Sequence, residues 1–124
     1  MHRSRLAGYI IDCQTDKLEE AADFWSEALG YKRQETSADD LYLGLDTPDG
    51  DPYIEVQAVD HASRIHLDIE SDDIEAEVQR LEALGARRIK DVKSWVVMEA
   101  PTGQRFCVIN RGHKYFDETA NRWE

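Results

Sequence analysis

Apolar and polar residues alternate along Ile11-Asp12-Cys13-Gln14 and again along Leu67-Asp68-Ile69-Glu70, the period of a half-buried strand. Each run ends in a hydroxyl residue followed by Asp, at Thr15-Asp16 and Ser71-Asp72. Asp16 with Glu19, and Asp72 with Glu75, have capping-box spacing with Asp in the Ser/Thr role, which predicts a helix start after each run. The first helix is predicted over 17–29, with Leu18, Ala22, Trp25 and Leu29 on one face. The second is predicted over 73–84, with Ile74, Val78 and Leu81 as its stripe. Gly30 and Gly85 stand where a helix commonly ends in a left-handed residue.

These elements belong to an internal repeat. Glu27-Ala28-Leu29-Gly30 returns as Glu82-Ala83-Leu84-Gly85, and the surroundings match in order. Three short strands are predicted after each helix, over 31–35, 41–45 and 53–56 in the first half and 87–92, 95–99 and 106–109 in the second. Turn-rich Thr47-Pro-Asp-Gly-Asp-Pro52 and Ala100-Pro-Thr-Gly103 join the last two strands of each half. The expected fold is α+β: one domain of two tandem βαβββ modules, about 6–58 and 63–110, forming a curved mixed sheet around a cleft. Residues 60–64 link the modules. In the tail, 111–124, the spacing of Phe116, Ala120 and Trp123 predicts a short amphipathic helix over 117–123.

The alternation also predicts facing. Ile11, Cys13, Leu67 and Ile69 should turn toward the helices. Ile10, Asp12, Gln14, His66, Asp68 and Glu70 should turn toward the cleft. Polar groups are costly to bury without partners, so their collection on one face points to a ligand-accessible cavity.

Composition narrows the function. The chain has 124 residues, 41% hydrophobic and 33% charged, which suits one soluble globular domain. Its net charge is −11, from 26 acidic and 15 basic residues. That argues against nucleic acid and anionic membranes as partners, because both need basic surfaces. No apolar run is long enough to cross a bilayer, and the stretch after the basic start is broken at Asp12 before it could form a signal-peptide core. A cytoplasmic location is expected, with Cys13 and Cys107 as free thiols.

Asp12, Asp68 and Glu70 could make an acidic cleft for a cationic ligand, or be neutralised by Arg105, Arg88 and Lys90. Trp95 suits either the cleft wall, against an apolar ligand, or the core; Trp25 belongs to the core. The candidate substrate-binding residues are Asp12, Asp68, Glu70, Trp95 and Arg105. Cys107 and His66 have the types of a nucleophile–base pair, but no residue in the sequence orients the imidazole. Phosphate loops, dinucleotide fingerprints and nucleophile elbows are absent from the sequence.

Several segments carry a resemblance: Phe24-Trp25 before Glu27-Ala28-Leu29-Gly30, His66-Leu67-Asp68-Ile69-Glu70, Trp95-Val96-Val97, Ala100-Pro101-Thr102-Gly103, and Phe106-Cys107-Val108. In this order, over roughly residues 6–110, the chain resembles the glyoxalase/bleomycin-resistance/extradiol-dioxygenase (vicinal oxygen chelate) superfamily, in its glyoxalase-like branch. The resemblance implies metal ligands on the first and last strand of each module. Those positions hold Ile10 and Glu55 in the first module and His66 and Cys107 in the second. Ile10 cannot bind an ion, so the implied set is His66, Glu55 and Cys107, for one divalent ion (zinc, nickel, iron or manganese). A hard octahedral ion prefers oxygen and imidazole, whereas a set with a thiolate suits zinc. The implied activity is a metal-dependent lyase, isomerase or dioxygenase-type reaction on a small molecule, with Glu55 as base or ligand. The alternative is a non-catalytic acidic protein that sequesters a cationic drug, as bleomycin-resistance proteins do. A structural dimer module is a third reading. A homodimer is implied in each case.

Overall fold

The computed structural model describes residues 1–35 and 41–124. These form two compact units: Gly8–His66, and Leu67–Glu124 together with Met1–Ala7. The boundaries fall inside two strands, β1 (His2–Gln14) and β4 (Arg64–Ser71). The class is α+β, as expected.

In the Gly8–His66 unit, β1 leads into helix α1 (Leu18–Leu29), followed by β2 (Tyr42–Leu45) and β3 (Tyr53–Val59). β1 runs parallel to β3, and β2 pairs antiparallel with β3. The predicted strand over 31–35 is reduced to one bridge, Arg33 to Leu45. Ala22, Leu43, Leu45 and Val56 form the buried core, with Cys13, Leu18, Trp25 and Ile54 packed around it. Leu29 was expected on this face but is 42% exposed. The helix closes at Gly30, whose φ of 78° is left-handed and whose N–H donates to the Ser26 carbonyl, a conformation open to glycine at little cost.

The second unit repeats this plan. β4 leads into α2 (Ile74–Ala83), then β5 (Arg87–Val92), β6 (Trp95–Glu99) and β7 (Arg105–Asn110). β4 is parallel to β7, β6 is antiparallel to both β7 and β5, and a register shift interrupts the β5–β6 pair between Arg88 and Lys90. Val78, Leu81, Val96, Met98 and Val108 are buried together, with Ile69, Ile74 and Phe106 against them. The predicted α2 stripe of Ile74, Val78 and Leu81 therefore stands. Leu67 shares the parity of Ile69, yet it is 43% exposed and lies outside this cluster.

Three expectations about local structure are corrected. Asp16 does not cap α1: Lys17 occupies the cap position without a side-chain bond, and its N–H donates to Thr15 Oγ1 instead. At α2 the cap is Asp73, which accepts the Ala76 N–H at 3.0 Å. Asp72 is drawn instead to the first strand, where it accepts the Arg3 N–H at 2.8 Å and Arg3 Nε at 3.0 Å. The tail forms only a one-turn helix, α3 (Phe116–Thr119), and then a strand, β8 (Asn121–Trp123). β8 pairs antiparallel with His2–Ser4. The helical spacing of Phe116, Ala120 and Trp123 was overridden because the edge of β1 offers main-chain partners.

That edge is fastened by a polar network absent from the sequence reading. Glu77 is buried on α2 and accepts from Arg80 Nε and Nη2, both at 2.8 Å, and contacts His2 Nε2 at 2.7 Å. The Arg80 guanidinium lies 3.8 Å from the Trp123 ring centre, and the Trp123 indole N–H donates to Ser4 Oγ at 2.9 Å. Burial alone would push the Glu77 carboxyl up, but the hydrogen bonds from Arg80, His2 and Ser4 outweigh it and hold it below the ordinary glutamate range.

Candidate functional site

In each unit the candidate residues stand on the strand faces that turn away from the helices. On β4, Ile69 packs into the core beneath α2. His66, Asp68 and Glu70 have the opposite parity and stand on the other face. On β7, Phe106 and Val108 join the core, so Cys107 shares the open face with Asp68, its partner in register. Val97 flanks Cys107 from β6. Trp95 shares the parity of Val97 and is half-buried, with the Lys93 ammonium 6.0 Å from its ring centre. It lies on the face opposite the core residues Val96 and Met98.

One group of three metal-binding residue types comes together among the described residues: His66, Asp68 and Cys107, whose donor atoms all lie within 4.8 Å of one another. Tetrahedral zinc with bonds of about 2.0–2.3 Å would need donor separations of roughly 3.3–3.8 Å. Small side-chain rotations on adjacent positions can supply that difference. The donor chemistry (imidazole, carboxylate, thiol) fits a borderline-soft ion such as zinc and fits a hard octahedral ion poorly. Glu55 is outside this group. Asp68 enters it although spacing and resemblance marked only a substrate contact there.

His66 is oriented from β1. Its Nδ1 lies 2.7 Å from Asp12 Oδ2, and Arg64 Nε is 3.7 Å from the same oxygen. Asp12 is only 2% exposed, and its Oδ1 is buried without a hydrogen-bond partner. So Asp12 meets the imidazole and Arg64, and two of the three cations expected to neutralise the acids, Arg105 and Arg88, are engaged elsewhere. Arg105 pairs with Glu99 at 3.0 Å, and Arg88 pairs with Asp91 and Glu75. Glu70 also has a structural environment. Its Oε1 accepts the N–H groups of Gly112 at 2.7 Å and His113 at 3.0 Å, and Arg5 Nε lies 3.6 Å from Oε2. It anchors the tail.

Glu55 stands on the open face of β3, in register between Ile10 on β1 and Gly44 on β2. The Gln34 amide occupies the space over Gly44, where an added Cβ would meet Oε1 at 2.6 Å. One row along, Gln57 lies between Asp12 and Tyr42, and its Nε2 donates to the Tyr42 hydroxyl at 2.9 Å. Gln34, Gln57 and Tyr42 therefore line the face that carries Glu55. Gly44 was the available signal, since a glycine inside a strand often marks close approach by another group. Cys13, the other thiol, belongs to the α1 core, where burial pushes it up.

A family model described as a glyoxalase-like domain matches residues 9–109. The solved structures that match include a methylmalonyl-CoA epimerase from Mycobacterium tuberculosis, at 15% identity and a TM-score of 0.65, over 86% of this chain and 87% of that one. A hypothetical protein from Bacillus halodurans C-125 aligns at 14% identity and a TM-score of 0.64, covering 90% and 96%. A Streptomyces coelicolor methylmalonyl-CoA epimerase variant in complex with 2-nitronate-propionyl-CoA aligns at 12% identity and a TM-score of 0.60, covering 85% and 96%. At these identities the likeness is one of fold. No curated protein matches the chain.

Proposed function

The chain belongs to the glyoxalase-like domain family, and from that premise we propose that it binds a small molecule beside one divalent ion and catalyses a metal-assisted isomerisation or lyase reaction. The observation that carries this reading is the convergence of His66, Asp68 and Cys107 on the open face of β4 and β7. These three would hold the ion, with zinc the best match to their donors. A bound ion there supplies a Lewis acid for a substrate oxygen.

The remaining work falls to the chain. Glu55, the carboxylate on the open face of β3, is the candidate to take a proton from the substrate and return it. Gln34, Gln57 and Tyr42 offer amide and phenol groups that would orient a small oxygenated substrate on the same face. In the other unit Trp95, on the open face of β6, would offer a flat apolar surface on the side that carries Cys107. The epimerases among the structural neighbours favour proton transfer as the reaction class, because epimerisation inverts a centre by removing and returning a proton. We take the working form to be a homodimer and the location to be cytoplasmic. Among the described residues no helix is long and apolar enough to cross a membrane.

A second reading, sequestration of a cationic molecule without turnover, is favoured by the charge of −11 and by acids on the open strand faces. Metal analysis separates the two. The protein is purified without chelator from cultures supplemented with zinc, nickel, iron or manganese, alongside His66→Ala. Near-stoichiometric metal in the wild type and its loss in the variant are expected. A wild type free of metal under every supplement removes the metalloenzyme.

A further inference from the structure

We infer that Asp12 is a positioning residue for His66: it fixes the imidazole with the proton on Nδ1, so that Nε2 is the nitrogen offered to the ion. The reading of His66 as an ion ligand underlies the second half of this statement; the first half stands on geometry alone.

A carboxylate only accepts hydrogen bonds, so at 2.7 Å from Asp12 Oδ2 the Nδ1 atom must be the donor. In the neutral ring that places the lone pair on Nε2. Metal-bound histidines commonly give their other N–H to a carboxylate, which fixes the tautomer and strengthens the ligand.

The burial of Asp12 argues that the contact is its purpose. A carboxylate 2% exposed is expensive unless paired. Ile10, two residues earlier on the same strand face, is equally buried and apolar, so packing at this end of the sheet does not call for charge. Of the two Asp12 oxygens, only Oδ2 is engaged, by His66 and more distantly by Arg64, while Oδ1 is buried without a partner. Glu70, which holds the tail, aims its engaged oxygen at two main-chain N–H groups. Asp12 is instead spent on one imidazole. Because Asp12 sits on β1 and His66 on β4, sequence spacing could not reveal the pairing.

The first test is long-range 1H–15N correlation of the His66 ring in the metal-free protein, recorded at a pH where the ring is neutral. A protonated Nδ1 and an unprotonated Nε2 are expected. Asp12→Asn keeps an acceptor and should preserve this tautomer, whereas Asp12→Ala should move the proton to Nε2. A wild-type ring protonated at Nε2 would overturn the inference without any variant, and an unchanged tautomer in a folded Asp12→Ala would do the same. The second test is zinc affinity by competition with a chromogenic chelator. Asp12→Ala should bind about 10–100-fold more weakly, the usual effect of removing such a partner, with Asp12→Asn in between. Equal affinity in wild type and Asp12→Ala refutes the positioning role. The expected tautomer in a protein that takes up no zinc would refute the ligand reading of His66 and leave the Asp12–His66 orientation standing.

Discussion

Replacing Glu77 by Gln tests the polar clasp that holds both ends of the chain against α2. The substitution conserves shape but removes the charge that faces Arg80 and His2. Breaking a buried ion pair typically costs about 3–5 kcal/mol. Arg80 retains 25% of its side-chain exposure and can recover some hydration, so a loss of about 2–3 kcal/mol is expected at neutral pH. With a urea slope of about 1.5 kcal/mol/M for a chain of this size, the unfolding midpoint should fall by roughly 1.3–2 M. The pH dependence carries a sign. Glu77 is held below its ordinary value in the folded state, so its stabilisation is complete above the unfolded pKa, about 4.3, and is lost as pH falls through the folded pKa. The gap between wild type and Glu77→Gln should therefore be widest near pH 7, narrow as pH falls below about 4.3, and close once pH has passed the folded pKa. The assay is urea unfolding followed by tryptophan fluorescence at several pH values. A variant within about 0.5 kcal/mol of wild type at pH 7, or a gap constant down to pH 3, would refute the reasoning.

Gly8→Ala should destabilise by about 2–3 kcal/mol, because its Cβ would stand 2.5 Å from the Tyr53 carbonyl oxygen, a main-chain atom that cannot swing aside. Gly112→Ala meets nothing within 4 Å and should stay within about 0.5 kcal/mol in the same urea titration. Asp73→Ala should cost about 1 kcal/mol through loss of the α2 cap, read as a lower thermal midpoint. Asp72→Ala, which removes a partly exposed pairing with Arg3, should cost less.

Much of the architecture was legible in the sequence because it rests on local periodicity. Ile74, Val78 and Leu81 repeat at helical spacing and pack as that spacing requires. Gly30 ends its helix because a left-handed residue is needed there. What escaped the sequence depends on contacts distant along the chain. Asp72 and Asp73 are chemically alike, and only the approach of Arg3 decides which one caps α2. The tail reads as a helix until the edge of His2–Ser4 is present to pair with it. At the site, alternation put His66 and Asp68 on one face and the resemblance supplied Cys107, but their convergence follows from the β4–β7 register, which no local pattern encodes. Glu70 is acidic like Asp68 and shares its parity but has a different task, because its oxygen meets the Gly112 and His113 N–H groups.

Cobalt titration is the most direct measurement of the proposed ion site. With His66, Asp68 and Cys107 as ligands, one equivalent of cobalt(II) should give the d–d absorption of a tetrahedral ion together with thiolate-to-cobalt charge transfer in the near ultraviolet. The charge-transfer band should vanish in Cys107→Ser and persist in Glu55→Gln. A wild-type spectrum without that band, or one that survives Cys107→Ser, would contradict the assignment.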